Sequence, residues 1–198
     1  MTKIQEQQDG ISHWDLLEKA QEQANESNRE RLKVALEKLG IVHVDVNYTH
    51  SYSNDEGSGY ALPVSVRLVD GSEVDVSSRH SSVTPEMKML KDAQIALDTV
   101  WSKGPDRQKG ETAPTIEHKS REVDVFTAIR ELELVDDSFM TQHGSRHTTS
   151  DYDDEGGTNE SVVSEGKARI DASTLNAIPL DDLGNVVRTD FGFRRNRW

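Results

Sequence analysis

Two imidazoles and four carboxylates fall within thirteen residues of this chain: His143, His147, Asp151, Asp153, Asp154 and Glu155. Nitrogen and oxygen donors in that mixture suit zinc, manganese or iron, so His143, His147, Asp151 and Asp153 form a candidate divalent-metal set. A metal held there would make the chain a metal-dependent hydrolase working from the loop 143–155. Gly144 argues against a helical i, i+4 pairing of the two histidines, because glycine ends helices more often than it continues them. Calcium fits less well. Asp151, Asp153, Glu155 and Gly156 copy the first half of an EF-hand loop, but the position that needs a bidentate glutamate is Val162.

The same carboxylates have a second use that needs no metal. Asp151, Asp153, Asp154 and Glu155, with Asp55 and Glu56 from an earlier Asp-Glu-Gly run, form a candidate interaction surface. Dispersed carboxylates imitate the phosphate array of a nucleic acid and attract a protein partner with a basic surface. The chain as a whole leans that way: 36 acidic against 23 basic side chains give a net charge of -13, and residues 121–182 hold 15 of the acidic groups against 5 basic ones. Direct nucleic-acid binding is therefore not expected, since Arg194, Arg195 and Arg197 in an aromatic-basic tail are the main basic cluster. No Gly-x-Ser-x-Gly elbow, P-loop or dinucleotide fingerprint occurs, and with no cysteine there is no thiolate nucleophile or thiolate metal ligand. The chemistry leaves enzyme or binding protein open, with an acidic protein-binding or inhibitory accessory role preferred and no cofactor expected beyond the metal alternative. The absence of cysteine, of an apolar leader and of any long apolar run predicts a cytoplasmic protein without membrane contact.

The elements that must position these groups follow from periodicity. Val125, Ile129, Leu132, Val135 and Phe139 recur at helical spacing, and Ser120 is a suitable N-cap, so a helix over 121–142 should deliver His143 into the acidic loop. Ahead of it, Thr84-Pro85-Glu86 and the stripe Met87, Leu90, Ala93, Leu97 and Trp101 predict a helix over 84–102. From Ser12 to Gly40 the composition is helical, as one helix or as two broken near Asn25, Ser27 and Asn28. Residues 41–48 alternate as a half-buried strand, residues 63–69 and 73–77 form a hairpin about Asp70-Gly71, and further strands follow 160. Thr49 to Gly59 and 144–158 read as loops, and 104–118 as an exposed linker.

The segment from Asn28 to Val46 with the loop Asp55-Glu56-Gly57-Ser58-Gly59, and then Ala128-Ile129, Leu132, Thr141-Gln142-His143 and the acidic glycine loop, resembles a small bacterial domain family of unknown function met on plasmids and in phages. The resemblance covers about residues 28–60 and 120–172. This chain departs from it by enlarging the second loop with Gly144 to Asp151 and by adding a C-terminal tail. The family carries no established activity, so the resemblance implies a two-layer fold and no mechanism. The expected fold is α+β, a small mostly antiparallel sheet with helices on one face. Its expected layout is a disordered segment 1–11, one domain over 12–190 and a tail over 191–198. The predicted core is Trp14, Leu36, Leu39, Val44, Val46, Val66, Leu90, Leu97, Ile129, Leu132 and Ile170.

Overall fold

The computed structural model describes residues 12–53, 56–77, 84–135, 139, 142–152 and 158–187. The first element, α1, is one helix, His13–Lys38. Its start is fixed by a capping box in which the Ser12 hydroxyl accepts the Trp14 and Asp15 N–H groups and the Asp15 carboxylate accepts the Ser12 N–H at 3.0 Å. Donors that the helix itself leaves orphaned are thereby satisfied. The poor helix former Asn28 does not break α1, because its side chain is committed elsewhere. Its amide donates to the Asp98 carbonyl and accepts the Asp98 N–H, both at 2.8 Å.

A glycine at positive φ, Gly40, then turns the chain into β1, Ile41–Ser53. The strands that follow are β2, Glu56–Leu68, and β3, Glu73–Asp75. After α2, Pro85–Asp92, come β4, Gln94–Lys103, β5, Thr115–Asp124, and α3, Val125–Glu131. The chain ends its described part with β6, Ser145–Tyr152, β7, Thr158–Asp171, and β8, Ala177–Leu180. All pairings are antiparallel. One sheet has the order β3-β2-β1-β7-β6 with β8 also on β7, and β4 and β5 make a separate two-stranded ribbon. The fold is α+β.

Strand β1 shows the two-residue period that builds the core: Val44, Val46, Tyr48 and His50 are buried, while Asn47 between them is exposed. Ala168 and Ile170 of β7 and Val66 of β2 stand beside them across the ladders. Leu32 and Leu36 of α1, Leu90 of α2, Ile95 and Leu97 of β4, and Val125, Ala128 and Ile129 of α3 complete one cluster. Among the described residues no helix is long and apolar enough to cross a membrane.

Several expectations are corrected here. The stripe from Met87 to Trp101 is not one helix: α2 stops at Asp92, Ala93 is extended with ψ at 118°, and Ile95 and Leu97 are buried at strand spacing. Thr99, Val100 and Trp101 are residues that favour a pleated surface. The helix expected over 121–142 is likewise divided. Residues up to Asp124 belong to β5, the cap is Asp124 rather than Ser120, and α3 ends at Glu131, just before Glu133 takes a φ of 46°. The buried face was still well placed, since Ile129 is fully buried and Leu132 packs on the core.

The stretch 104–118 is the connection of the β4–β5 hairpin together with the first residues of β5, and it carries a 3-10 turn at Arg107–Lys109. Strands β1, β2 and β6 run through most of the two supposed loops. Trp14 is 70% exposed and not part of the core. The segments 1–11 and 191–198 lie outside the described residues.

Candidate functional site

The expected interaction residues belong to two hairpins. Strand β1 runs out to Ser53 and β2 returns from Glu56, while β6 ends at Tyr152 and β7 begins at Thr158. Because β1 lies beside β7 with Ser53 opposite Ser161, both hairpin ends are at the same end of the sheet, on neighbouring pairs of strands. Adjacent strands are about 4.8 Å apart. Glu56 stands opposite Ser53, and Asp151 opposite Asn159. Asp55, Asp153, Asp154 and Glu155 lie outside the described residues.

Of the expected metal set, Asp153 lies outside the described residues, and the backbone places His147 and Asp151 on β6 with His143 just before it. His147 is opposite Val163 on β6 and Asp151 is four residues further along the same strand, a backbone separation of roughly 13 Å. His143 sits before β6 with its ring 4.8 Å from that of Phe139, which meets Tyr48 edge-on at 5.7 Å. The helical spacing of the two histidines is thus lost, and Val162 is a ladder residue between Tyr52 and Thr148 rather than a loop ligand. Among the described residues no three His, Asp or Glu side chains gather as a metal site.

A different site appears where β7 changes partners. Its outer edge pairs with β6 up to Glu165 and with β8 from Lys167 onward, which leaves Gly166 at the junction. Gly166 is opposite Tyr48 on β1, and the phenol lies so close that a Cβ on Gly166 would stand 2.2 Å from Tyr48 Oη. Only glycine fits there, since any side chain would overlap the ring.

A cleft of about 690 Å³ lies along the sheet face that carries Asn47, Thr49, Glu165 and Lys167, the face opposite the Tyr48 ring. His143, Gly144 and Ser145 form one wall, and Leu180, Asp181, Asp182 and Val187 form the other. Asn47, Thr49, Glu165 and Lys167 supply the remaining polar groups.

The cleft is built with care at its rim. Asp181 accepts the Leu183 N–H at 2.9 Å, the Asn185 N–H at 2.8 Å and the Asn185 amide at 3.1 Å, which fixes the turn after β8. Those bonds, led by the one from the Asn185 backbone, hold the Asp181 carboxyl below its ordinary range. Lys167 Nζ reaches across and donates to the Asp182 carbonyl at 2.8 Å. On the core face of the sheet, the Tyr48 hydroxyl is buried and has no hydrogen-bond partner among the described residues. Burial pushes its pKa up, so the phenol stays protonated. One sequence signal pointed here: an isolated glycine inside a strand marks close approach of another group.

Two rows further along the sheet, Asp45 receives two bonds from Arg169, at 2.7 and 2.8 Å, with His43 Nε2 at 3.9 Å from the same carboxylate. Burial and the Arg169 charge lower the His43 pKa, against the pull of Asp45. A carboxylate already clamped by arginine is a poor base, so this cluster reads as a structural ion pair. No family model, curated protein or solved structure matches this chain.

Proposed function

We infer that this is an acidic interaction protein that engages the basic surface of a protein partner, with carboxylates standing in for phosphates. The observation that supports it is the strand register. It brings the hairpin joined after Ser53 beside the hairpin joined after Tyr152, and each of those connections carries an Asp-Glu-Gly run. The two acidic runs are about a hundred residues apart in sequence, and the strands that lead into them end side by side at one end of the sheet. In a chain of net charge -13, these runs steer a basic partner toward that end of the sheet.

The test uses tagged full-length chain as bait in a lysate of its native host, beside a variant with Asp55, Glu56, Asp151, Asp153, Asp154 and Glu155 changed to their amides. A partner should be retained by the wild type at low salt, be released as salt rises, and bind the variant at least tenfold more weakly. Equal capture by both baits, or capture indifferent to salt, would sink the reading.

A further inference from the structure

We propose that the groove between the second half of α1 and the first residues of β1 is the docking site of this chain's own aromatic-basic segment, residues 188–198. The groove has a volume of about 560 Å³, and valines from three parts of the fold line it: Val34 of α1, Val42 of β1 and Val69 just after β2. Val34 and Val42 are nearly half exposed, and Val69 is 80% exposed. Scattered singly, such residues need no explanation; grouped in one groove, they mark a surface that takes up apolar groups. Backbone bonds fix its shape. The Val69 N–H donates to the Gly40 carbonyl at 2.8 Å, and the Ala172 N–H donates to the Val42 carbonyl at 3.0 Å.

The heading and length of the chain name the occupant. Leu180 pairs with Val186, and the Val187 N–H donates to the Pro179 carbonyl, so the chain leaves Val187 antiparallel to β8. That direction runs from Pro179 back toward Ala177, which is opposite Ile170, and so toward Asp171, Ala172 and Ser173 on the near wall of the groove. Because Pro179 stands opposite Ala168, Ala172 is roughly 13 Å along the strands from Val187 and two strand spacings, about 10 Å, across them. Eleven residues follow Val187, and extended they reach up to about 36 Å.

Their chemistry fits the walls. Phe191, Phe193 and Trp198 supply large apolar groups for the three valines, and Arg188, Arg194, Arg195 and Arg197 outnumber Asp190. In the groove, Glu30 is paired with Lys33 at 2.5 Å, so Glu37 and Asp171 carry the charge that Lys33 does not balance. Arginine bonds well to such carboxylates. A second copy of the chain is a poorer occupant, because it brings a net charge of -13 against another of the same sign.

The experiment is nuclear magnetic resonance of the full-length chain with labelled valine methyls. The methyl protons of Val34, Val42 and Val69 should show Overhauser contacts to the aromatic protons of Phe191, Phe193 or Trp198. Their resonances should shift in the full-length variant with Phe191→Ala, Phe193→Ala and Trp198→Ala, while those of the core residues Val44 and Val66 stay in place. A synthetic peptide of residues 188–198 added to that variant should restore the wild-type positions and bind at least threefold more weakly at high salt. Adding Val69→Ser and Glu37→Gln, both at the groove, should weaken the peptide at least tenfold. The proposal is overturned if the three valines are unmoved by the aromatic substitutions, if the aromatic residues make their contacts elsewhere, or if the peptide binds regardless of Val69 and Glu37. Contacts that run between copies in a mixture of labelled and unlabelled chains overturn it as well.

Discussion

At the scale of single residues, the pair Tyr48 and Gly166 sets a buried, unpartnered hydroxyl against a glycine that admits no side chain. Removing the unpartnered hydroxyl by Tyr48→Phe should leave stability unchanged or raise it by up to about 1 kcal/mol, because a buried polar group without a partner is unfavourable. Gly166→Ala should cost about 1–3 kcal/mol, since a well-packed site accepts an extra methyl only by displacing its neighbours. Combining the two should bring little relief: the new Cβ would still stand 2.4 Å from Tyr48 Cζ. Urea unfolding of the three variants checks all of this.

His43 yields a second residue-scale expectation. Its folded pKa is lowered by burial and by Arg169, so its contribution is fully present above its ordinary value and is lost as pH falls toward the folded one. Between pH 7 and 5 the melting temperature of His43→Gln should therefore fall less than that of the wild type. Parallel curves would show that His43 adds no pH dependence.

At the scale of elements, α1 shields the free edge of β4. Asn28 bonds to both the N–H and the C=O of Asp98, and Arg31 donates to the Ala96 carbonyl at 3.0 Å and to the Asp98 carboxylate at 2.6 Å. The helix thus supplies the partners a further strand would have supplied, and an exposed edge is covered. Asn28→Ala should cost about 1–3 kcal/mol by leaving two part-buried backbone groups of Asp98 without their partner. Asn28→Asp should cost at least as much, because a carboxylate cannot donate to the Asp98 carbonyl and adds charge beside the Asp98 side chain. Chemical denaturation of both variants decides it.

This contact also explains why the first helix was legible in its extent but not in its continuity: Asn28 looked like a break and is an anchor. The two misread helices share a different cause. In each, an apolar stripe crossed a junction between helix and strand, α2 into β4 and β5 into α3, and positions such as Leu97 satisfy both periods. Where alternation was unbroken, as through Val44, Val46 and Tyr48, or where Asp70-Gly71 marked a turn with Gly71 at φ +86°, the reading matched the structure. For the candidate sites, residue type was legible and neighbourhood was not. The adjacency of the two hairpins depends on Ser53 pairing with Ser161, and the close contact at Gly166 depends on its meeting Tyr48, both of them long-range pairings.

At the scale of the whole molecule, a net charge of -13 places the folded state under self-repulsion. Surface charge of this kind is screened over about 10 Å at 0.1 M salt. The wild-type melting temperature should therefore rise as salt is added from a low starting value. The variant with amides at Asp55, Glu56, Asp151, Asp153, Asp154 and Glu155 removes six of the repelling charges. It should melt at or above the wild type in low salt, with the difference closing as salt approaches 0.5 M, where roughly 4 Å of screening length remains. Scanning fluorimetry across a salt series reads both curves. A variant that melts lower at every salt concentration would mean that these carboxylates hold the hairpin ends together through bonds of their own. They would then be structural groups rather than a surface kept free for a basic partner, and the loss of a partner by the same variant would have to be ascribed to damaged hairpins.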